Sequence, residues 1–269
     1  MDVNKVLYIS QEIEPYLPAT PLSLFGRDLP QAMQEGGVEV RTFMPKYGNI
    51  NERRNQLHEV IRLSGMNIPI DDTDHPLLIK VATLQPTRLQ VYFIDNDDFF
   101  MRHSSGKLEI EHDADVNDER CIFFVRGTAE TVRKLRWEPS VVQCTGWVTA
   151  LTPLYFKTVF ADGSAFRNTK IVYSLWNNPF EGHLDPRMVE KLIADGIPEE
   201  DLKSLAEGGT PVDWIKLNKL AIDFADAVTV SSEGVPAELI DYAKASGKPV
   251  LDYPGEGNWQ AYKEFYTSL

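Results

Sequence analysis

The sequence predicts an α/β fold in which a single doubly wound, mainly parallel sheet spans residues 1–269 as one domain. Three observations predict it. Strand-like and helix-like patterns alternate from one end of the chain to the other. The chain opens with a strand, a helix and a second strand, which is a βαβ unit. Apolar residues make up 43% of the 269 residues, which is enough to bury a substantial core.

The opening unit consists of a strand at residues 5–10, a helix at 22–36 and a strand at 38–44. Apolar residues in the helix recur about every 3.6 positions, as they do on one face of an α-helix. Gly36 and Gly37 follow this pattern, and glycine commonly ends a helix because it adopts the left-handed conformation without strain. Pro45 then ends the second strand.

The rest of the chain alternates in the same way. Strand patterns at 77–83 and 89–94 are joined by a Gln-Pro-Thr turn, and a strongly amphipathic helix at 117–135 stops before Pro139. The other predicted elements are strands at 141–144, 170–175, 227–231 and 249–251, helices at 149–160, 213–225, 235–245 and 258–267, and short helical turns at 186–194 and 199–205.

In such a fold, ligands bind beyond the carboxyl ends of the strands. The sequence therefore directs attention to the loops that follow the strands. These are residues 12–20, 95–102, 145–149, 175–182 and 231–234.

Charge and cysteine content limit the class of protein. The net charge of −13 argues against nucleic acid as a partner, since binding to a phosphate backbone needs clustered Lys and Arg. Cys121 and Cys144 lie in apolar runs and are expected to be reduced and buried. Five scattered histidines show no metal-ligand spacing, so we expect no metal and no cofactor. Without a signal peptide or an apolar run long enough to span a bilayer, a cytoplasmic protein is expected, with no membrane partner.

Several segments, in order and with similar spacing, resemble the N-terminal lobe of bacterial glycogen synthases and plant starch synthases. They cover nearly the whole chain, although no single motif among them is decisive. The segments are KVLYISQEIEPY, DLPQAMQEGGVEVRTFMPKYGNI, VYFIDNDDFFMR, NDERCIFFVRGTAETVRKLRWEPSVVQ and ADAVTVSSEGVPAELI.

The resemblance implies one Rossmann-like lobe of a B-type, two-lobed glycosyltransferase. In that family the N-terminal lobe holds the growing glucan, and the C-terminal lobe binds the nucleotide of ADP-glucose. The chain ends where the second lobe would begin, so we expect the N-terminal lobe alone. The face that a second lobe would cover is expected to associate, either as a homodimer or with another protein of glycogen metabolism.

The family's first loop reads Lys-x-Gly-Gly-Leu, with an acid two positions on, and it holds the phosphates of the sugar nucleotide. Here Pro18 stands at the lysine, Thr20 and Pro21 at the glycines, and Leu24 at the acid. The prolines remove backbone donors, so the loop predicts a rigid turn instead of a phosphate site. Glu12 survives from the family pattern and is expected to shape the loop.

The two other family motifs are also altered. The histidine motif aligns with residues 143–149, where Trp147 is retained but every histidine and the aspartate are replaced. Trp147 could stack on a sugar or belong to the core. The later histidine-asparagine pair is replaced by Tyr173 and Ser174. We therefore predict no catalytic residue in this chain.

Aromatic and amide side chains suit carbohydrate, because rings stack on apolar sugar faces and amides bond to neighbouring hydroxyls. On this basis a glucan site is predicted, with a purely structural loop as the alternative. Its candidate residues are Phe99, Trp147, Tyr173, Trp176, Asn177 and Asn178.

Three functions stay open from the sequence. The first is a catalytically degenerate relative of glycogen synthase that binds glucan or regulates a partner. The second is an active glucosyltransferase that uses ADP-glucose and needs a donor lobe from another chain. The third is an unrelated domain that binds a nucleotide or small metabolite, although the chain has no G-x-G-x-x-G or Walker sequence.

Overall fold

The computed structural model describes residues 2–101, 116–206 and 209–269, and its sheet is mainly parallel, as predicted. The described strands are β1 (Lys5–Ser10), β2 (Glu39–Pro45), β3 (His58–Glu59), β4 (Met66–Ile70), β5 (Thr73–Leu84), β6 (Leu89–Asp95), β7 (Val141–Thr145), β8 (Lys170–Leu175), β9 (Ala227–Val230) and β10 (Val250–Leu251). They lie in the order β10-β9-β8-β7-β1-β2-β6-β5-β3, and β4 pairs with β5.

The pairing direction divides the sheet into two parts. From β10 through β1 to β6, every neighbouring pair is parallel. Beyond β6 the pairs β5–β6, β4–β5 and β3–β5 are antiparallel. The carboxyl ends of the parallel strands therefore meet along one edge, where ligands bind in folds of this type.

Helices cover both faces of the sheet. They are α1 (Pro21–Glu35), α2 (Asp97–Phe100), α3 (Asn117–Lys134), α4 (Thr152–Lys157), α5 (Met188–Ala194), α6 (Lys203–Ala206), α7 (Trp214–Phe224), α8 (Ala237–Ala245) and α9 (Trp259–Ser268). Side chains of α1 and α9 pack with Val6 and Tyr8 of β1 on one face, whereas Leu7 and Ile9 belong to the larger apolar cluster that includes α3, α4 and α7. This alternation follows from the two-residue period of a strand.

The first helix begins and ends where its sequence signals indicate. Thr20 is the N-cap: its Oγ1 accepts a hydrogen bond from the N–H of Ser23, and the Ser23 Oγ accepts one from the N–H of Thr20. Pro21 occupies the first helical position, where a missing N–H is harmless. The helix ends at Glu35, one residue before its predicted end at Gly36.

Two predictions of secondary structure are wrong. The helix predicted at 149–160 is instead a 3₁₀ turn at Trp147–Thr149 followed by the six residues of α4. It stops because the backbone of Thr158 leaves the helical region. The strand predicted at 77–83 starts four residues earlier, at Thr73, and pairs with β4, which was not predicted. Pro69 and Pro76 lie within this hairpin, and proline weakens the sequence signal of a strand.

The described part of the chain has no helix that is both long enough and apolar enough to cross a bilayer.

Cys121 and Cys144 are free thiols with no exposed surface, as predicted. Burial raises the pKa of both thiols well above its usual value, so they stay protonated and act as small apolar side chains.

Candidate functional site

A cleft of about 740 Å³ lies at the carboxyl edge of the sheet. Its volume falls within the range of about 300–1,000 Å³ that is usual for small-ligand sites. Its lining residues are Glu12, Thr20, Pro21, Leu22, Leu24, Phe25, Asp28, Trp176, Asn177, Asn178, Ser231, Ser232, Glu233, Tyr253, Gly255, Glu256, Gly257, Trp259 and Tyr262.

Four parts of the chain converge on this cleft. The loop after β1 and the start of α1 form one wall. Segments 176–178 and 231–233 follow β8 and β9, and because those strands are parallel neighbours, their carboxyl ends bring the two segments together. Segment 253–257 and the first turn of α9 close the opposite side.

The floor of the cleft is a network of buried hydroxyl groups. The Tyr262 hydroxyl lies 3.0 Å from Ser231 Oγ, and Ser231 Oγ lies 2.6 Å from Ser174 Oγ. The Trp176 Nε1–H donates to Ser174 Oγ at 3.1 Å, and Thr229 Oγ1 bonds to both serines. Burial raises the pKa of Tyr262 to about 12. The network therefore stays neutral and holds the floor in a fixed geometry.

The walls of the cleft are acidic. Four carboxylates line it, from Glu12, Asp28, Glu233 and Glu256, and no lysine or arginine among the described residues does. The nearby Arg27 guanidinium forms ion pairs with Glu14 and Asp28. These two carboxylates neutralise the positive charge of Arg27. The cleft therefore presents a negative potential to any ligand.

The N-terminus of α1 has few donors to offer a phosphate. Pro21 has no N–H, the N–H groups of Thr20 and Ser23 bond within the capping box, and the N–H of Leu24 bonds to the Thr20 carbonyl. The Thr20 hydroxyl also donates to Glu12 Oε2 at 3.0 Å. A carboxylate of the chain itself thus lies at the positive end of the helix, where a bound anion would otherwise be stabilised.

The region that aligns with the family's histidine motif is filled. Gly146 has φ +86°, and a Cβ atom there would lie 2.6 Å from Gln11 Cβ. Trp147 is 1% exposed, and its ring packs edge-on against Phe180 at a centroid distance of 4.9 Å. Gln11 Oε1 also accepts a hydrogen bond from Val148 N at 3.4 Å, so the Gln11 side chain packs directly against this turn. Trp147 is therefore a core residue.

Phe99 and Tyr173 are also core residues. Phe99 is 3% exposed and packs between His75 and Phe123. Tyr173 has no exposed surface, and its hydroxyl donates to Asn218 Oδ1 at 2.9 Å. Neither ring presents a face to the cleft. Of the loop at 95–102, Arg102 lies outside the described residues.

The structure thus divides the predicted site residues into two groups. Those that it brings together in the cleft are Glu12, Thr20, Pro21, Trp176, Asn177 and Asn178. Those that it does not are Pro18, which is exposed on the first loop, and the buried Phe99, Trp147 and Tyr173. These three rings are buried and do not line the cleft.

The residues of the far wall are not among the site residues predicted from the sequence. Tyr253, Glu256 and Trp259 lie near the end of the chain, beyond the segments that carry the family resemblance. Of these, only Trp259 lies in the predicted last helix, at 258–267, which is rich in aromatic residues. That pattern alone does not tell which rings face the ligand and which face the sheet.

One acidic cluster has the spacing of a metal site. Carboxylate oxygens of Asp118, Glu119 and Asp185 lie within 4.8 Å of one another. Lys191 Nζ lies 2.8, 2.6 and 2.8 Å from these three groups, respectively. Burial lowers the pKa of Lys191 and the carboxylates raise it by more, so the amine stays charged. The ammonium thus takes the position that a cation would fill.

Comparison with known proteins agrees with this architecture. The catalytic domain of starch synthase IV from Arabidopsis thaliana, solved with ADP and acarbose, superposes with a TM-score of 0.72 over 94% of this chain and 51% of that one, at 18% identity. The fold is therefore the α/β fold of one lobe of a two-lobed glycosyltransferase.

Sequence similarity then specifies the family. The starch synthase catalytic domain family matches residues 5–250. The glycogen synthase of Chlorobium chlorochromatii is 37% identical over 72% of this chain and 40% of its own length, and that of Chlorobium limicola is 35% identical over 88% and 47%. The chain belongs to the starch synthase catalytic domain family. It spans about half the length of the curated relatives it matches.

Proposed function

We propose that this chain is a glucan-binding lobe of the glycogen and starch synthase family that does not transfer glucose by itself. The observation that carries the proposal is the lining of the cleft, which combines four carboxylates, two side-chain amides and several aromatic rings with no basic side chain from the described residues. Family membership leaves the first two functions expected from the sequence and makes an unrelated domain untenable.

A neutral, polyhydroxylated ligand suits this lining. Asn177 is exposed and Asn178 half-buried, so both amides can bond to neighbouring sugar hydroxyls. Tyr253 and Trp259 are half-buried, which leaves part of each ring for an apolar sugar face. Carboxylates accept hydrogen bonds from sugar hydroxyls, and a neutral ligand brings no charge for them to repel.

A sugar nucleotide suits it poorly. Its diphosphate would enter a cleft lined by four carboxylates, and no lysine or arginine of the described residues lines the cleft to bind it. The first turn of α1 uses most of its backbone donors in the Thr20 capping box. A charge-assisted hydrogen bond contributes about 1.5–3 kcal/mol to binding. The first loop of this chain lacks several of those that the family's loop would make to a diphosphate.

The second candidate is an active, ADP-glucose-dependent glucosyltransferase that needs a partner lobe. Family membership favours it, because the matched relatives are glycogen synthases of about twice this length. In that case the partner would supply all contacts to the nucleotide and the acid-base groups.

A regulatory role, through a homodimer or a protein of glycogen metabolism, is compatible with glucan binding and stays a prediction.

Co-sedimentation with glycogen tests the proposal. The chain should pellet with glycogen, and Tyr253→Ala should weaken binding about tenfold, since loss of a stacked ring removes about 1–1.5 kcal/mol. Tyr242→Ala is the matched control, because Tyr242 is a half-buried tyrosine of α8 outside the cleft. Equal retention of the wild type and both variants in the supernatant would refute glucan binding.

Release of ADP from ADP-glucose in the presence of glycogen distinguishes the two candidates. We expect no turnover by the chain alone. Turnover by the purified chain would overturn the proposal, and turnover that appears only on adding a donor lobe would favour the second candidate.

A further inference from the structure

A second, smaller cavity of about 240 Å³ lies at the opposite edge of the sheet, near the amino ends of β2 and β6. The end of α1 and the turn before β6 complete it. Its lining residues are Gln34, Val38, Glu39, Val40, Arg41, Arg88 and Gln90. None of these residues lines the cleft described above.

The charge of this cavity is opposite to that of the cleft. Arg41 and Arg88 both line it, and neither forms an ion pair with any described residue. The carboxylate of Glu39 accepts a hydrogen bond from Trp137 Nε1 at 2.6 Å. Two guanidinium groups that pair with no described carboxylate are unexpected at one concavity of a chain with net charge −13.

Arg41 is held in place by aromatic rings. Its guanidinium carbon lies 5.1 Å from the centre of the Trp137 ring and 6.0 Å from that of Tyr92. The Tyr92 hydroxyl accepts from Arg41 at 3.4 Å and donates to Gln90 Oε1 at 3.2 Å. A stacked guanidinium keeps its in-plane N–H groups available, and Gln90 keeps its Nε2 group as a further donor.

Arg88 adopts a backbone conformation that favours glycine or asparagine. Its φ is +59°, in the left-handed region, where a long side chain is disfavoured. Glycine would close the turn before β6 without this strain. The residue found there instead is a second arginine on the lining of the cavity. Backbone strain of this kind is often found at binding sites.

We propose that this cavity binds a small phosphate-type oxyanion, either free phosphate or the phosphate group of a small ester. Guanidinium groups bind such anions through paired N–H donors, and the two arginines with the Gln90 amide supply them. The cavity is smaller than the range of about 300–1,000 Å³ typical of drug-sized ligands, so it suits the anion or a short phosphomonoester.

Isothermal titration of the full chain at constant ionic strength tests the site, with inorganic phosphate and glycerol phosphate as separate probes. Saturable binding is expected for the wild type. Arg88→Gln should weaken it about tenfold or more, the effect of losing one charge-assisted hydrogen bond. Arg88 is exposed, so this variant keeps the fold. Arg41→Lys keeps the charge but lacks the planar donor pair, and it should weaken binding as well.

Arg62→Gln is the matched control, because Arg62 is an exposed arginine outside the cavity. It should bind as the wild type does. Binding of both probes would identify free phosphate as sufficient, and binding of glycerol phosphate alone would identify an ester. The absence of saturable binding by the wild type, or equal affinities of Arg88→Gln and Arg62→Gln, would overturn the proposal.

Discussion

The carboxyl edge of the sheet differs between its two halves. Beyond β7, the positions of the family's histidine motif are sealed by Gln11, Trp147 and Phe180. Beyond β8 and β9, the same edge opens into a cleft of about 740 Å³. Gln11 lies on the boundary, since its Oε1 accepts from Val148 N on one side and from Asn178 Nδ2 on the other, both at 3.4 Å.

This difference shows that topology makes a site available but side chains decide whether it is used. Both halves have parallel strands that end side by side, as in any fold of this type. In the sealed half, Trp147, Val148 and Thr149 are buried, and the Trp147 ring packs against Phe180. In the open half, acidic and amide side chains keep water-accessible space between the strands and α9.

Trp147→Ala should have the largest effect on the sealed half. The change removes a fully buried ring and leaves a cavity, so the free energy of unfolding should fall by about 4 kcal/mol in a urea titration. Trp259→Ala, in the half-buried wall of the cleft, should lower it by much less. The assignment of Trp147 to a sealed half would be wrong if Trp147→Ala kept the stability of the wild type and lost glycogen binding instead.

Gly146→Ala should have the next largest effect, about 3 kcal/mol, because it combines a strained φ with a steric clash. Gly37→Ala separates the two causes, since Gly37 has φ +88° and no atom within 4 Å of an added Cβ. It should be less destabilising in the same titration. If the two alanine variants unfold alike, close packing against Gln11 does not seal this half.

Thr20→Ala should have the smallest effect, on the wall of the open half. Loss of the N-cap hydroxyl should lower the free energy of unfolding by about 1 kcal/mol. Thr20→Ser keeps the hydroxyl that bonds to Ser23 N and Glu12, so it should stay close to the wild type in thermal and urea unfolding. Equal losses for both variants would mean that the cap does not hold this wall.

The sequence was sufficient for the parallel part of the fold. The bounds of β1 and β8 are as predicted, and those of α1, α3 and α7 differ by one or two residues, because each has a strong apolar period and clear end signals. It was insufficient for β3, which has only two residues, both exposed, and for β4, which contains Pro69. Strand pairing also depends on contacts that are distant in sequence.

The candidate site was predicted in part. Residues 176–178 could be found because they follow a strong strand in a fold whose binding edge is known. The burial of Trp147 and Tyr173 could not, because an aromatic residue has the same sequence signal whether its ring faces a ligand or a neighbouring ring. Only the packing of Phe180 and Asn218 against them decides between the two.

Helix α9 belongs at once to the cleft and to the core. Trp259 and Tyr262 line the cleft, while Tyr262 and Tyr266 cover the sheet beside α1. Detachment of this one helix would therefore remove a wall of the site and expose an apolar face of the sheet in a single event. A ligand that binds only while α9 is docked would oppose this opening, so the amide exchange rates of α9 should fall as the cleft fills.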